Sequence, residues 1–179
     1  MLGVDLLILI TLGTQIQQFK RLLDAVESCS TDERIVVQAG HSTYESEKME
    51  IHGFIDMDEM EKLVEEARIV VTHGGTGSIV GALKKNKRVI ACARLKKYGE
   101  HLDDHQLEIV KTFTDNGYIL AFTDGDDFSS ILKQAESFEP KAYTSNSEQF
   151  IKKLEEKIDS FFPNEQIDRA NTGNNPIRH

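Results

Sequence analysis

Val70-Val71-Thr72-His73-Gly74-Gly75-Thr76-Gly77-Ser78-Ile79 joins an apolar run to a glycine-rich turn and then to a helix-forming segment. The run over 68–72 is short and rich in Val and Ile, the pattern of a strand buried on both faces. Gly74, Gly75 and Gly77 permit a tight turn and a close approach of backbone to a ligand. The helix expected over 77–85 begins with amide N–H groups that lack partners inside the helix, at the positive end of its dipole. Phosphate oxygens fit such a start, and the Thr76 and Ser78 hydroxyls add donors. Glycines also serve plain strand-to-helix turns, so the phosphate reading rests on His73, Thr76 and Ser78 standing among them. No Gly-Lys-Ser/Thr is present and the spacing departs from G-x-G-x-x-G, which argues against nucleoside triphosphatases and simple dehydrogenases.

Outward from this turn, apolar runs recur over 4–11, 34–39, 88–93 and 118–122, with a weaker one over 50–55. Helix-period segments lie between them, over 16–27, 58–67, 77–85 and 104–115, and two more follow over 126–136 and 147–161. Strand and helix alternate almost throughout. That order predicts an α/β, Rossmann-like parallel sheet with helices on both faces. In the last helix Phe150, Ile151, Leu154, Ile158 and Phe161 form an apolar stripe expected to pack as core. The expected organisation is one domain over 1–162 and a mobile tail over 163–179, where no apolar period remains.

Composition narrows the function. With 179 residues, 39% hydrophobic and 28% charged, the chain has the length and make-up of a soluble domain with a full core. A net charge of -9 disfavours a nucleic-acid surface, which needs clustered cations, so no nucleic-acid partner is expected. Cys29 and Cys92 are too few for a disulfide framework and fit a cytoplasmic setting. The apolar run over 6–10 follows no basic segment and leads into Thr-Leu-Gly-Thr, which reads as a strand and not a signal peptide. No stretch reaches the roughly 18 to 20 apolar residues of a membrane span. Against the acidic background, Lys84, Lys85, Lys87, Arg88, Arg94, Lys96 and Lys97 form a basic run, suited to an anionic donor or membrane surface or simply to solvent.

Ligands of parallel sheets bind beyond the carboxyl ends of the strands. Two further loops there carry suitable chemistry. Thr11-Leu12-Gly13-Thr14-Gln15 follows the first strand, placing Gly13 and Thr14 at the crevice. Tyr98-Gly99-Glu100-His101-Leu102-Asp103-Asp104-His105-Gln106 follows the strand over 88–93, and Asp104 is placed to start the next helix. Carboxylates and amides such as Glu100, Asp104 and Gln106 suit sugar hydroxyls, which both donate and accept hydrogen bonds. His101 and His105, four apart with carboxylates between, satisfy a metal spacing only if the stretch is helical from His101; no metal site is expected. His41 and His52 receive no role.

The paired motifs, residues 70–79 with Ala82-Leu83 and then Asp104-His105-Gln106, resemble the C-terminal donor-binding domain of family 28 glycosyltransferases. Ile10-Thr11-Leu12-Gly13-Thr14-Gln15, with Gln18-Phe19 and Arg21-Leu22, strengthens the resemblance, which runs from about residue 5 to 122. The chain looks like the single-domain members: the small catalytic subunit of the two-subunit transferase that extends dolichol-linked GlcNAc, and PssE-like subunits of capsule and exopolysaccharide synthesis. The resemblance implies the C-terminal half of a B-type glycosyltransferase, a UDP-sugar donor, no cofactor and no essential metal. It implies transfer of a hexose or N-acetylhexosamine to a lipid-diphosphate-linked acceptor, in partnership with a membrane-anchored acceptor-binding subunit that holds the chain at the membrane. Carried over by position, His73, Gly75 and Thr76 meet the donor diphosphate, with His73 stabilising the leaving group, while Asp104 and Gln106 face the sugar. Where the related pattern has a ribose-binding Glu, three residues after Ser78, this chain has Gly81, so either ribose binding comes from elsewhere, with Glu100 a candidate, or donor affinity is weak. No catalytic base is legible. The alternative is a non-catalytic nucleotide-sugar-binding subunit that enhances a partner transferase; a nucleotide-sugar epimerase or hydrolase is a third reading.

Overall fold

The computed structural model describes residues 6–143, together with Lys152, Lys153, Glu156 and Ser160, which are helical. The chain divides into two compact units, 1–145 and 146–179. The apolar stripe over 147–161, the tail over 163–179 and the start of the first strand before residue 6 lie outside the described residues.

The first unit runs β1 (Leu7–Thr11), α1 (Lys20–Ser28), β2 (Arg34–Gln38), β3 (Glu50–His52), α2 (Met57–Glu66), β4 (Ala67–His73), α3 (Thr76–Lys84), β5 (Arg88–Cys92), α4 (His105–Asp115), β6 (Leu120–Ala121) and α5 (Phe128–Ser137). The strands form a single parallel sheet in the order β3-β2-β1-β4-β5-β6. The Val- and Ile-rich runs become its interior: Ile8, Ile10, Val37, Ile69, Val71 and Ile90 are all but inaccessible to water. From β1 the chain winds outward to β2, and from β4 it winds the other way to β5. The strand order therefore reverses between β1 and β4, and the crevice of the fold opens above their carboxyl ends.

Several expected elements differ in extent, and the weak strand expected over 50–55 keeps only Glu50–His52. The helix expected from residue 16 starts at Lys20, because residues 14–19 run irregularly along the carboxyl edge of the sheet. There the Phe19 amide donates to Ser42 Oγ at 3.1 Å, and Gln18 ties the His41 carbonyl and the Thr43 amide. These bonds hold the segment against the loop after β2 and take the place of a helical turn. The last strand keeps only Leu120 and Ala121 of the five residues expected, since only those two pair with β5.

Candidate functional site

Three helices show how the chain treats a helix start. Asp56 caps α2 by accepting from the Glu59 amide, and Asp127 caps α5 by accepting from the Ser129 and Ser130 amides. Such caps contribute about 1 kcal/mol each by satisfying orphan donors. At α3 the N-cap is Gly75, with no side chain to close the end. Its first amides, from Thr76 onward, stay open at the carboxyl end of β4, where an anion would meet several N–H donors and the positive end of the dipole.

The loop after β1 reaches the same place. A Cβ added to Gly13 would lie 2.6 Å from His73 Cε1, and one added to Gly75 would lie 2.3 Å from His73 Nε2. The imidazole is therefore held against the backbones of both glycine loops. Gly13 has φ +74, a conformation that excludes ordinary side chains. Gly40, in the loop after β2, is also left-handed and packs against the Gly13 carbonyl. Below them Thr11 Oγ1 donates to Thr72 Oγ1 at 2.9 Å, linking β1 to β4. Both glycine loops legible in the sequence thus flank the switch point and touch through His73.

Burial pushes the His73 imidazole down to about 4, with the nearby Arg94 and His101 adding to the effect and a hydrogen bond involving the Thr11 backbone opposing it. At neutral pH it is an uncharged ring. Its single N–H is engaged by the Thr11 carbonyl, so the ring brings neither a positive charge nor a spare donor, and the charge complement of an anion here would come from α3.

The loop after β5 supports this floor. Arg94 is fully buried and donates to the carbonyls of Leu12 and Gln17 at 2.8 Å each and of Glu100 at 3.2 Å, stitching the loop after β1 to the loop after β5. Its guanidinium lies 4.6 Å from the Phe19 ring centroid, and burial pulls its pKa down to about 10, so it keeps its charge. Gln106 is buried; its Oε1 accepts from the Arg94 amide, and its Cβ presses on the Gly74 backbone. It supports the turn from beneath, where the sequence had placed it against a sugar. Glu100, expected at a ribose, is also buried: it grips Arg21 through two bonds of 3.0 and 2.8 Å and accepts from the Leu95 amide. Its carboxylate is spent inside the fold. Asp104 remains exposed and accepts from the Lys96 amide. Thr14 is exposed beside Gly13, while Thr76, Gly77 and Ser78 line the opening of α3.

His101 precedes α4 rather than belonging to it, so the helical metal spacing is not met. Even so, His101, Asp103 and His105 place their polar atoms within 4.8 Å of one another. These atoms bond each other: Asp103 Oδ1 contacts His105 Nδ1 and accepts from the His105 amide, and His101 Nδ1 accepts from the Asp103 amide. The cluster is a hydrogen-bonded network beside the cleft.

Two clefts flank the cradle. One, of about 490 Å³, lies between α2 and α3 and is lined by Ile55, Met57, Met60, Glu61, Ser78 and Gly81 among others. The other, of about 390 Å³, is lined by Arg21, Leu95, Asp104, Leu107, Phe122 and Asp124 among others. Ile16, Phe54, Met57, Tyr98, Leu102 and Leu107 are large exposed apolar residues, all in or next to loops at the carboxyl edge. The basic run does not form one patch. Arg94 is buried, Lys85 pairs with Glu61 and Glu65, Lys87 binds main-chain carbonyls, and Lys97 pairs with Asp124. Arg94, Arg21 and Gln106 are structural supports that spacing alone did not reveal. For the two arginines the signal was a charge set against an apolar run; Gln106 gave none.

The model of the glycosyltransferase family 28 C-terminal domain matches residues 7–161. The chain is similar to the UDP-N-acetylglucosamine transferase subunit ALG13 of Eremothecium gossypii, 36% identical over 89 residues that cover 49% of this chain and 42% of that protein. It is also similar to the subunit of the same name from Saccharomyces cerevisiae, 32% identical over 73 residues, 40% of this chain and 34% of that one. The chain spans less than half the length of these curated relatives. A solution structure of ALG13 superposes with a TM-score of 0.57 at 19% identity, covering 86% of this chain and 97% of that one. The glycotransferase of kitacinnamycin gives 0.58 at 16% identity, covering 89% of this chain but 40% of that enzyme. These structures share the fold, that of the C-terminal half of a B-type glycosyltransferase.

Proposed function

The chain belongs to the glycosyltransferase family 28 C-terminal domain family, and from that premise we propose that it is the donor-binding, catalytic half of a UDP-sugar-dependent glycosyltransferase. The observation that carries the reading is the uncapped start of α3, set at the strand-order switch point and joined through His73 to the loop of Gly13. A diphosphate placed there receives N–H donors from the first turn of α3, with the His73 ring packed against the backbones that shape the turn. As the glycosidic bond breaks and charge gathers on the leaving UDP, these fixed donors stabilise it without reorganising. The nucleoside lies in the cleft between α2 and α3, against Ile55, Met57 and Met60. Glu61 lines that cleft and takes the place of the carboxylate missing at Gly81. The space for the missing side chain is still there, since a Cβ at Gly81 meets nothing within 4 Å.

The acceptor enters from outside this chain. The likeness covers 40% of the kitacinnamycin enzyme, so this chain supplies about one half of such an architecture. Exposed apolar side chains around the carboxyl edge suit a covering partner. Among the described residues no helix is long and apolar enough to cross a membrane. The reading therefore assigns the lipid-diphosphate-linked acceptor, in capsule, exopolysaccharide or lipid-linked oligosaccharide synthesis, to a membrane-anchored partner subunit. The transferred group is a hexose or N-acetylhexosamine, and the names of the relatives make UDP-N-acetylglucosamine the first donor to try.

Thermal unfolding of the chain with UDP, UDP-N-acetylglucosamine, UDP-glucose and UDP-galactose tests the donor assignment. A ligand at 100 times its dissociation constant adds about 2.7 kcal/mol of stability. A rise in melting temperature with UDP, lost in Gly77→Val, is the expected result. No rise with any of the four at millimolar concentration contradicts it.

A further inference from the structure

We infer that His105, oriented by Asp103, is the general base that removes the acceptor hydroxyl proton, an assignment that rests on the transferase reading above. The carboxylate Oδ1 of Asp103 contacts His105 Nδ1 and also accepts from the His105 main-chain amide at 3.1 Å. A carboxylate there fixes the proton on Nδ1 and leaves Nε2 as an open acceptor, the division of labour that a base held by an orienting carboxylate requires. Among the described residues nothing bonds His105 Nε2.

The neighbouring imidazoles are differently committed. His101 is largely buried, its Nδ1 accepts from the Asp103 amide, and its Nε2 lies 3.4 Å from Gln15 Nε2. His73 is locked between the glycine loops. His105 is partly exposed as the first residue of α4. Its ring centroid is 4.7 Å from that of His101, which in turn acts electrostatically on His73. The approach of His101 to Gln15 thus places the pair beside the loop of Gly13. The charged and titratable groups around it are Asp103 and His101 from the preceding loop, Asp104 and Glu108 on its own helix, and Arg94 beyond His101. Across the neighbouring cleft stand Arg21, Lys97 and Asp124.

In the step assigned to it, the acceptor oxygen forms a bond to the anomeric carbon of the donor. The bond from that carbon to the diphosphate oxygen breaks, and its electron pair leaves with UDP. The hydroxyl proton passes to His105 Nε2 and then to solvent, restoring the base.

Two measurements on the full chain test this. Long-range proton–nitrogen correlation of the imidazoles at pH 7.5 should show His105 protonated on Nδ1 alone, a preference lost in Asp103→Asn. A proton on Nε2 overturns the assignment. In the second, variants are added to membranes of the source cell lacking its own copy, and transfer from labelled UDP-N-acetylglucosamine, UDP-glucose and UDP-galactose to lipid is followed. His105→Gln should lower transfer on the order of 10²- to 10⁴-fold while the UDP-induced melting shift stays within twofold of the unsubstituted chain. Asp103→Asn should lower transfer less than His105→Gln does, because it removes the group that orients the ring and leaves the ring itself. Transfer by His105→Gln within threefold of the unsubstituted chain overturns the assignment. Absence of a UDP shift in the unsubstituted chain strikes the donor reading and the base with it, whereas loss of transfer without loss of UDP binding separates the two.

Discussion

The two loops that meet at His73 both depend on glycine, for different physical reasons. In the loop after β1, Gly13 sits at φ +74, so the backbone conformation itself excludes a side chain, and Gly40 beside it at φ +60 repeats the requirement. In the turn after β4, Gly74, Gly75 and Gly77 have ordinary backbone angles; Gly74 and Gly75 are small because Gln106 and His73 crowd them. Gly77 is crowded by nothing within 4 Å. Its smallness serves the space above it, where a ligand would lie. One loop is therefore shaped by conformation and contact, the other by contact and vacancy.

The sharpest way to break this distinction is Gly13→Ala, which meets both obstacles at once. It should cost about 3 kcal/mol, from a left-handed residue and overpacking against the His73 ring. Urea unfolding measures it, and a loss no greater than that of Gly75→Ala would erase the difference between the loops. Next in size is the pH dependence that both loops impose by enclosing His73. Its folded pKa of about 4 lies below the unfolded value of about 6.5, so the unfolded chain binds the extra proton between these values. Stability attributable to this ring is complete above about pH 6.5 and is lost as pH falls toward 4, by about 3 kcal/mol. His73→Asn should flatten that part of the stability–pH curve, whereas an unchanged slope would assign it to other groups.

Gly75→Ala comes third, at about 1 to 2 kcal/mol, since its φ of -77 is unstrained and only the His73 ring must yield. The smallest effect has the opposite sign. Gly77→Ala lies in the first turn of α3 with open space around it and should stabilise the chain by about 0.5 kcal/mol, while weakening UDP about tenfold by intruding on the phosphates. A variant that gained stability and kept full UDP affinity would remove Gly77 from the cradle.

Much of this architecture was legible because it follows from local pattern. Val- and Ile-rich runs alternating with helix-period segments specify a covered parallel sheet, and the glycine turn specifies where its crevice is polar. The difficulty lay with polar residues whose partners are distant in sequence. Glu100 looked available to a ribose, yet its partner Arg21 lies 79 residues away. Gln106 looked like a sugar contact, and its bond to the Arg94 amide depends on how the loop after β5 returns over α4. Spacing reveals helix faces and turns; it does not reveal which long-range partner has already claimed a carboxylate. The start of α1 was misplaced for the same reason, because Phe19 and Gln18 bond to the loop after β2 instead of completing a turn.

Amide chemical-shift mapping of the isotope-labelled chain titrated with UDP tests most directly where a donor diphosphate binds. The largest shifts should fall on Gly75, Thr76, Gly77 and Ser78, with smaller ones on Gly13 and Thr14 and on Ile55 and Glu61 in the neighbouring cleft. Saturating shifts confined to other parts of the sheet, or none at millimolar UDP, would contradict that placement.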